Sequence, residues 1–384
     1  MNNVRVIFHI DMNAFFASCE EIKRPYIKNK PFAVGARYSR KGVLSTSNYI
    51  ARKYGVYSAM SVPDALKKCP NLIILDSDYS FYIECSKKFM KIIYEYTDKV
   101  EQASIDEAFI DVTDINMHPL DFAKLLQKRI KDECKLPSSI GIGPTKFLAK
   151  MASDMKKPMG ITVVRKRDIE KKLFPLDIAD MFGIGKKTSP KLKEMGINTI
   201  GDLYRNLEDL KDFFGDKMYL YIKNTLEGKS SDIVDPERYS TFSSIGNSRT
   251  SAHPLINEDE INDFFNYVID ITYNRLKKYN MKAYTFTVQI KYTDLKTYSK
   301  SKTYNEATND YEEFISRCKE LFESLWNGRE IRLLGVAVSN LEDVGVKVFD
   351  LFHLDEIDSE EKLNNALAEI ENKYGKNAIK KGIK

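Results

Sequence analysis

A multidomain α+β protein is the fold class that the sequence predicts. Its 384 residues suffice for roughly two to four domains at about 150 residues each. Predicted strands and helices alternate before residue 170 and again after about residue 241, which is typical of sheets covered by helices. Residues 170–230 contain only short helical patterns and predict a small all-helical module between these two regions.

The first strand is predicted from alternation. Apolar residues occupy every second position from Val4 to Ile10, which predicts a strand that ends at Asp11. The segment A-F-F-A-S-C-E-E-I follows as a helix, with Asn13 expected as its N-cap. The other elements predicted before residue 170 are helices at 49–54, 80–98 and 119–134, a hairpin at 100–112 and a strand ending in S-I-G-I-G at 139–143.

The second half of the chain begins with the helical module. Pro190 lies near the start of the helix that follows F-G-I-G, and because proline is tolerated only in the first turn, this helix is expected to begin late. After about residue 241, helices are predicted at 258–279 and 309–326, and strands at 283–292 and 331–340. These elements predict a second α+β domain.

The charge is nearly balanced but unevenly distributed. Lys and Arg number 60 against 55 Asp and Glu, which gives a net charge of +5. Residues 146–172 carry nine basic and three acidic side chains, and residues 275–302 carry eight and one. Two such basic strips indicate a polyanion, such as nucleic acid, held along defined tracks. Solvated helix and strand faces would give the same pattern, so charge alone leaves both interpretations open.

Neither a disulfide framework nor a zinc site is indicated by the cysteines, which are odd in number, widely spaced and without a C-x-x-C pair. They are Cys19, Cys69, Cys85, Cys134 and Cys318. The N-terminus shows no signal-peptide pattern, and no run of 18 apolar residues is present. A soluble, cytoplasmic protein without a membrane partner is expected.

Two adjacent carboxylates, Asp106 and Glu107, interrupt the apolar hairpin in S-I-D-E-A-F. A surface hairpin tip would explain them, because a turn lets both side chains reach water. Asp11 ends a strand that can pair beside this hairpin, which would bring three carboxylates to one sheet edge. Like charges repel unless cations neutralise them. Mg²⁺ prefers carboxylate oxygens, and a pair of such ions suits phosphoryl transfer.

Five sequence blocks are distinctive in their residues and in their order along the chain. The blocks are I-D-M-N-A-F-F-A-S-C-E (10–20), S-N-Y-I-A-R-K-Y-G-V (47–56), S-I-D-E-A-F (104–109), K-F-L-A-K-M-A-S-D-M-K-K-P-M-G (146–160) and F-G-I-G-K-K-T (182–188). From residue 4 to about 352, the chain therefore resembles the Y family of translesion DNA polymerases, in its bacterial polymerase IV type.

The resemblance implies a right-hand polymerase with a palm, small fingers, a helical thumb and a C-terminal α+β little-finger domain. The expected boundaries are the palm at 1–13 and 78–168, the fingers at 14–77, the thumb with a helix-hairpin-helix at 169–235, a linker at 236–242, the little finger at 243–343 and a tail at 344–384. The implied activity is low-fidelity, template-directed addition of dNTPs to a primer 3′-hydroxyl in translesion synthesis, by a monomer without proofreading.

Site residues carry over by their positions in the family's motifs. Asp11, Asp106 and Glu107 are the implied catalytic metal ligands, the Met12 carbonyl is a further ligand, and two Mg²⁺ ions are the implied cofactor. The residues implied to bind the nucleotide are Phe15, Phe16 as a steric gate against a 2′-hydroxyl, Ser45 over the templating pair, Tyr49, Arg52 and Lys157. Without the resemblance, adjacent aromatics such as Phe15 and Phe16 are typical of a core. Tyr49 and Arg52, which share one face of a helix, are then typical of a solvated surface.

Further implied contacts are to DNA and to a protein partner. Gly183, Gly185, Lys186 and Lys187 are implied to hold DNA phosphates, although a G-x-G alone is more typical of a helix-capping turn.

V-F-D-L-F at 348–352 takes the place of the family's sliding-clamp peptide, Q-L-x-L-F. Phe349, Leu351 and Phe352 are the implied anchors in the clamp. The chain departs from the family pattern at Val348, which replaces Gln, and at Phe349, which replaces Leu. The alternative is that these side chains cover the little-finger sheet.

The same carboxylates would also serve another two-metal enzyme, a nucleotide cyclase or a nuclease. A cyclase needs no basic strips, and a nuclease needs no sugar gate. A DNA-binding protein without catalysis is the third possibility, if the acids only decorate the surface.

Overall fold

A computed structural model describes residues 5–35, 42–230, 232–238 and 243–344. The chain divides into two compact units, Met1–Thr241 and Phe242–Lys384. Each unit combines sheet and helices around its own buried core, so the prediction of a multidomain α+β fold is confirmed. No helix in the described ranges has the length and apolar character needed to cross a membrane.

The first unit contains a five-stranded sheet that is antiparallel except at its last strand pair. Its strands are β1 (Ile7–Met12), β5 (Val100–Gln102), β6 (Glu107–Asp111), β7 (Ser138–Gly143) and β8 (Ile161–Val163). The order β5-β6-β1-β7-β8 places β1 in the centre. One face is covered by α4 (Tyr79–Tyr94) and α5 (Pro119–Cys134), and the other by α6 (Lys146–Asp154).

The two faces of β1 have different chemistry. Its even-numbered residues are apolar and pack in the main core with α4 and α5. Its odd-numbered residues, Ile7, His9 and Asp11, face α6 because strand side chains alternate. This face therefore changes from apolar to charged along the strand. The helix predicted at 80–98 is too long, because α4 ends at Tyr94 and the chain then turns to begin the hairpin.

A three-stranded sheet lies between β1 and α4 in the chain, and sequence reasoning missed it. Its strands are β2 (Phe32–Gly35), β3 (Leu44–Ser47) and β4 (Ile73–Leu75), and its order is β3-β2-β4. The helices of this segment are α1 (Phe15–Lys23), α2 (Tyr49–Lys53) and α3 (Val62–Lys68), with a 3-10 turn at Pro25–Ile27. All four residues of β2 are buried, so the sequence shows no alternation there.

The helical module is present as predicted. It contains α7 (Ile169–Lys172), α8 (Thr188–Glu194), α9 (Ile200–Arg205), α10 (Lys211–Leu226) and 3-10 turns at Lys166–Asp168 and Ile178–Asp180. The expectation that the helix after F-G-I-G begins late enough to keep Pro190 within its first turn is confirmed. Helix α8 starts at Thr188, and Pro190 is its third residue, inside the first turn, where an N–H has no helical partner to lose.

The second unit is a four-stranded antiparallel sheet with two helices. Its elements are β9 (Ser244–Leu255), α11 (Glu258–Lys278), β10 (Met281–Tyr292), β11 (Thr297–Thr308), α12 (Tyr311–Leu325) and β12 (Ile331–Asp343), with the sheet order β11-β10-β12-β9. Phe265, Phe286 and Phe314 fill the core between sheet and helices. Strands β9 and β11 were not predicted, because both are mostly polar and exposed and therefore lack apolar alternation.

The N-cap expected at Asn13 is wrong. The N-cap of α1 is Ala14, in a left-handed conformation at φ 45°, and it makes no side-chain cap bond. Asn13 instead donates from Nδ2 to Ser139 Oγ at 2.9 Å, and its Oδ1 accepts the N–H of Met159 at 2.8 Å. Its side chain therefore fastens the turn after β1 to β7 and to the segment after α6.

Candidate active site

The hairpin places Glu107 directly opposite Asp11. Strands β1 and β6 pair in antiparallel register, and Asp11–Glu107 is the last pair of that ladder. Directly opposed residues carry their side chains on the same face. Both carboxylates therefore lie on the α6 side of the sheet, with side chains 14% and 27% exposed.

Asp106 reaches the same sheet edge from the turn before β6. Its backbone carbonyl accepts the N–H of Met12 at 2.9 Å, which fastens the turn to the end of β1. Its Oδ1 accepts from the Ser104 hydroxyl at 2.6 Å, and Ser104 Oγ accepts the N–H of Asp106 at 3.2 Å. The structure thus brings the three predicted carboxylates together.

Two lysines of the segment 146–160 neutralise part of this charge. Lys150 Nζ lies 2.7 Å from Glu107 Oε2 and 3.5 Å from Asp11 Oδ2. Lys157 Nζ lies 2.8 Å from Asp11 Oδ2. Among the described residues, none forms a salt bridge with Asp106, so its negative charge is the least balanced of the three.

The pKa values reflect this imbalance. Burial, and then the charges of Asp11 and Glu107, raise the pKa of Asp106. Contacts with His9 and Lys150 hold the pKa of Glu107 below its usual range despite burial. Burial is also the main reason that the pKa of His9 is lowered, so its imidazole is neutral at physiological pH. A cluster in which one carboxylate resists ionisation is stabilised when a cation binds.

The donor atoms fit a hard divalent cation. Ligand atoms of His9, Asp11 and Glu107 lie within 4.8 Å of one another, and Asp106 adds a further carboxylate. Carboxylate and carbonyl oxygens are the ligands that Mg²⁺ prefers. His9 Nε2 is 3.3 Å from Glu107 Oε2, but the contact lacks hydrogen-bond alignment, so the lowered pKa of Glu107 rests more firmly on Lys150.

A glycine of S-I-G-I-G lets α6 lie directly on the sheet. A Cβ on Gly141 would stand 1.9 Å from the carbonyl oxygen of Ala149 and 2.3 Å from the backbone nitrogen of Ser153. Only a residue without a Cβ permits this approach. The glycine therefore sets the distance between the helix that carries Lys150 and the strand that carries Asp11.

We expect Gly141→Ala to lower both stability and activity. The added methyl forces α6 away from the sheet, at a cost of about 1–3 kcal/mol or more. Moving Lys150 by about 1 Å should slow the nucleotide incorporation that the family resemblance implies by roughly 10- to 100-fold. Thermal unfolding and single-nucleotide incorporation measure the two effects. A variant with wild-type stability and rate would show that the close approach is not required.

A cleft of about 280 Å³ opens beside the carboxylates. It is lined by Asp11, Met12, Asn13, Ala14, Phe15, Phe16, Ser45, Thr46, Tyr49, Arg52, Ser58, Asp106 and Lys157. All residues predicted to bind the nucleotide border this cleft, as do the predicted metal ligands other than Glu107. Glu107 instead borders a second cavity of about 320 Å³, together with Lys150.

The two paired aromatics have different environments. Phe16 stacks on Tyr82 with ring centroids 4.5 Å apart at 15°, and it meets Tyr79 edge-on at 5.4 Å. The Tyr82 hydroxyl donates to Glu20 at 2.7 Å, which fixes the ring behind Phe16. Phe15 is 3% exposed and belongs to the main core. Phe16 is therefore the aromatic whose ring is braced at the cleft.

Helix α2 presents Tyr49 and Arg52 to the cleft. The Arg52 guanidinium carbon lies 4.8 Å from the centre of the Tyr49 ring, and its Nε donates to the Ser47 carbonyl at 3.1 Å. Burial raises the pKa of Tyr49, so its hydroxyl keeps the proton that it can donate. Asn48 caps the helix by accepting the N–H of Ala51 at 3.0 Å. Contacts within the segment thus hold both side chains in place.

The other predicted contacts lie apart from this cleft. Gly183 has a φ of 97°, and a Cβ on Gly183 or Gly185 would meet nothing within 4 Å, so the hairpin backbone is open to a partner. Lys186 and Lys187 beside it are exposed. The predicted clamp peptide, residues 348–352, lies outside the described residues.

Sequence reasoning missed five residues at or behind the site. They are His9, Thr46, Ser58, Tyr82 and Lys150. Two had a usable signal: His9 precedes Asp11 by two residues and so shares its face of the strand, and Lys150 lies one helical turn after Lys146. The other three reach the site only through the fold.

Three family models match the chain. The impB/mucB/samB family matches residues 10–154, the IMS family HHH motif matches residues 166–197, and the impB/mucB/samB family C-terminal domain matches residues 243–351. Together these matches cover most of the chain, including the carboxylates, the helical hairpin and the second unit.

Individual relatives agree with the family models. The chain is 40% identical to DNA polymerase IV of Oceanobacillus iheyensis, over 99% of this chain and 92% of that protein. It is 39% identical to DNA polymerase IV 1 of Bacillus subtilis, over 98% and 92%. Its structure resembles a Y-family DNA polymerase chimera, with TM-score 0.78 and 29% identity over 88% of this chain and 99% of that one. It also resembles Dbh DNA polymerase in an insertion ternary complex, with TM-score 0.62 and 28% identity over the same shares. The chain belongs to the impB/mucB/samB family of Y-family DNA polymerases and is of the bacterial DNA polymerase IV type.

Proposed function

We propose that this DNA-directed DNA polymerase extends primers by two-metal nucleotidyl transfer at the carboxylate cleft, with low fidelity and without proofreading, in translesion synthesis. The observation that supports this most strongly is the cleft itself, which joins Asp11 and Asp106 to Tyr49, Arg52 and Lys157. Carboxylates that share a cleft with phosphate-binding side chains suit a metal-bound triphosphate.

The family implies dependence on a divalent metal, and we propose two Mg²⁺ ions per site. Asp11, Asp106, Glu107 and the Met12 carbonyl would hold them. When bound, the ions would lower the pKa of the primer 3′-hydroxyl and stabilise the departing pyrophosphate. The chain's own part is to position these oxygens: the β1–β6 pairing aligns Asp11 with Glu107, and the Ser104 turn presents Asp106.

The triphosphate would contact the basic and hydroxyl side chains that line the cleft. Arg52 offers a forked guanidinium, Tyr49 a hydroxyl donor and Lys157 a mobile ammonium. Lys157 contacts Asp11 and Asp154, both at 2.8 Å, and a metal-bound triphosphate would give it a further anionic partner.

In the turn at residues 13–16, which opens α1, the N–H of Asn13 donates to the Pro137 carbonyl at 2.7 Å. The backbone N–H groups proposed for phosphate are therefore those of residues 14–16.

A polymerase of this kind works on primer–template DNA, and we propose the following parts of the molecule for it. The palm is 1–13 and 78–168, the fingers 14–77, the thumb 169–235, the linker 236–242 and the little finger 243–343. The hairpin with Gly183, Gly185, Lys186 and Lys187 would hold DNA phosphates. We propose that it acts as a monomer. Because its substrates are DNA and dNTPs, we propose that it acts in the cytoplasm.

Low fidelity is proposed from the small residues around the base-pair end of the cleft. Ser45 is exposed on β3 and borders the cleft together with Thr46 and Ser58. Short side chains leave room for distorted or mispaired bases, so shape selection is weak.

We expect Phe16→Ala to admit ribonucleotides. Phe16 is braced by Tyr82, so its ring cannot retreat from a 2′-hydroxyl, and removing the ring removes that steric exclusion. The dNTP-over-rNTP preference in incorporation efficiency should fall by more than about ten-fold. Competing dCTP and CTP opposite a template guanine measures the preference. Tyr26→Ala, on an exposed aromatic outside the cleft, is the control. An unchanged preference in Phe16→Ala would place the sugar gate elsewhere.

Primer extension with dNTPs and Mg²⁺ separates this function from the alternatives that the carboxylates alone would permit. A polymerase adds the templated nucleotide to a labelled primer and releases pyrophosphate. A nuclease shortens the primer, and a cyclase converts a nucleoside triphosphate without any primer. Templated extension is the expected result. Shortening, cyclisation or no reaction would overturn the proposal.

A sliding clamp is the proposed protein partner, through V-F-D-L-F at 348–352. Tethering to a ring around DNA raises the effective concentration of polymerase at a primer end. The double variant Leu351→Ala/Phe352→Ala should lose clamp binding and clamp-stimulated extension but keep its basal activity on short primers. Titration of the clamp from the same species measures the affinity. Equal affinity of the double variant and wild type would exclude this peptide.

A further inference from the structure

A cavity of about 670 Å³ lies at the end of the five-stranded sheet that is remote from the carboxylates. It is bordered by the start of β1, the ends of β7 and β8 and the first residues of α5. In the β1–β7 pairing, Ile7 lies opposite Gly143 near this end, and Asp11 lies opposite Ser139 near the other. The strand from Val6 to Asp11 spans roughly 17 Å. The cavity is therefore separate from the nucleotide cleft.

Much of the lining of this cavity is apolar. Ile142 and Val164 are buried, with exposures of 4% and 0%. Val6, Leu120 and Val163 are partly buried and pack against the main core, which holds them in place. Apolar surface that enters such a cavity is removed from water, which favours binding. The lining therefore suits a ligand with an apolar part.

Four cationic side chains border the same cavity, and none of the described acidic residues does. The cations are Arg5, Arg165, Lys166 and Arg167. Within the described parts of the chain, none of the four forms a salt bridge. Like charges that are gathered without an anion repel one another, and an anion bound among them relieves this repulsion. The charge of the cavity therefore suits an anionic ligand.

Arg5 is held in place by neutral acceptors. Its guanidinium donates to the backbone carbonyls of Ser230 at 3.2 Å and Asp232 at 3.3 Å. The carboxylate of Asp232 instead pairs with Arg238 at 2.5 Å and Lys146 at 3.2 Å. Arg5 is thus fixed at the cavity without a carboxylate that neutralises its charge.

Two acidic side chains in neighbouring segments have other partners. Asp168 Oδ2 accepts the backbone N–H of Arg165 at 3.0 Å and contacts Lys172 Nζ at 3.4 Å. Glu227 pairs with Lys229 at 2.5 Å. Neither acid forms a salt bridge with a cation of the cavity, so the positive charge there is available to a partner.

The charge alone would also suit nucleic acid, but the lining does not. A nucleic-acid backbone offers phosphates and sugars, which gain nothing from an apolar surface. Unpaired bases bind proteins by stacking on aromatic side chains, and no Phe, Tyr or Trp of the described chain borders this cavity. A peptide can offer both carboxylates to the cations and an apolar side chain to the lining.

We propose that this cavity is a docking site for an acidic peptide segment of a partner protein. An aliphatic or aromatic side chain of the segment enters the apolar lining, and its carboxylates pair with Arg5 and with the cations of residues 165–167. An apolar anchor supplies most of the affinity in such a site, and the charges supply specificity and speed of association. A peptide bound here leaves the nucleotide cleft free.

Fluorescently labelled acidic peptides test the docking site on the full-length enzyme. Each peptide carries Asp and Glu on both sides of two central residues, which are Leu, Ile, Phe or Ser. The peptide with two central Ser has the same charge without apolar side chains. Binding is measured by fluorescence anisotropy, with the enzyme saturated by unlabelled primer–template DNA so that the proposed DNA contacts are occupied.

At least one peptide with apolar central residues should bind saturably, and more than about ten-fold more tightly than the Ser peptide. If no peptide binds more tightly than the Ser peptide, the proposal is wrong. Displacement of the bound peptide by an excess of single-stranded DNA would also overturn it, because the cavity would then be a nucleic-acid surface.

Two variants and a control locate the binding. Leu120→Glu places a carboxylate in the apolar lining, at the second position of α5, where an acidic residue is favourable for the helix. Arg167→Glu reverses the charge of an exposed side chain at the cavity. Lys124→Glu makes the same change of charge on α5 outside the cavity, where Lys124 is 68% exposed.

Both cavity variants should weaken binding of the apolar peptide more than about ten-fold, and the control should change it less than about two-fold. Far-UV circular dichroism shows whether each variant is folded, and if Leu120→Glu is not, the exposed Arg167→Glu decides. Wild-type affinity in Arg167→Glu, or an equal loss in Lys124→Glu, would overturn the proposal.

Discussion

Replacing Asp106 with alanine or asparagine is expected to slow nucleotide incorporation by a factor of at least about 1,000, because losing a metal ligand removes several kcal/mol of transition-state stabilisation. Asp11→Ala and Glu107→Ala should cause losses of the same order. DNA affinity should survive in all three, since the proposed DNA contacts lie on the basic strips and the thumb hairpin. Single-turnover incorporation and fluorescence anisotropy with labelled primer–template measure the two properties separately.

The asparagine variant also has an expected effect on stability, which separates lost chemistry from lost folding. Burial and the neighbouring Asp11 and Glu107 raise the pKa of Asp106, so the folded state binds this proton more tightly than the unfolded state. Stability is therefore lost as the pH rises from the unfolded pKa through the folded pKa, and the ionised carboxylate is destabilising at neutral pH. Asp106→Asn, measured without divalent metal, should be at least as stable as wild type.

Asp114→Asn is the matched control for this experiment. Asp114 is 74% exposed and contacts Lys99 on the surface. Its replacement should change neither incorporation nor stability appreciably. Normal primer extension by Asp106→Asn would show that Asp106 is not a metal ligand. If the variant is unfolded, its lost activity is explained by folding and not by metal binding.

Replacing Glu101 with leucine should lower the free energy of unfolding of the first unit by about 3–5 kcal/mol. Glu101 is 1% exposed, and its two carboxylate oxygens lie 2.6 Å and 2.7 Å from Lys146 Nζ. Arg238 Nε is 3.0 Å from Oε1, and the N–H of Asp235 donates to Oε2 at 2.9 Å. Leucine keeps much of the volume but leaves the buried Lys146 ammonium without its main partner.

The change can be assigned to one unit, because the single tryptophan, Trp326, lies in the other. The unfolding transition monitored by far-UV circular dichroism should shift to milder conditions in Glu101→Leu. The unfolding transition monitored by Trp326 fluorescence should not shift. Glu95→Leu is the control, since Glu95 is 48% exposed and its ion pair with Arg129 is worth less than about 1 kcal/mol. Equal stability of the two variants would show that the Glu101 network contributes no more than a surface pair.

Elements with strong periodicity could be predicted from the sequence, and elements governed by distant contacts could not. Helix α5 begins at Pro119 and ends at Cys134, as predicted, because its apolar stripe and N-terminal proline are local signals. The cap of α1 was misassigned because Asn13 bonds to Ser139 and Met159, which are remote in sequence. No local rule indicates that Ala14 takes a left-handed conformation.

The same distinction applies to the site. Asp11 could be placed at a strand end from alternation, and the resemblance to a family pointed to side chains that the structure gathers around one cleft. The bracing of Phe16 by Tyr82 could not be predicted, because nothing in either segment indicates that their rings stack. The close approach at Gly141 likewise depends on how α6 packs, although the glycine itself is visible in the sequence.

Counting divalent ions in an unreactive complex tests the two-metal assignment most directly. The complex contains the wild-type enzyme, a dideoxy-terminated primer on its template and the next templated dNTP, so no bond can form. Mn²⁺ is titrated into this complex, and the concentration of free Mn²⁺ is measured by electron paramagnetic resonance. A matching sample without enzyme corrects for the Mn²⁺ that the nucleotide and the DNA bind by themselves. Two enzyme-dependent ions per chain are expected, and fewer in Asp106→Asn. One ion per chain at saturation, or the same count in both proteins, would contradict catalysis by two metals on these carboxylates.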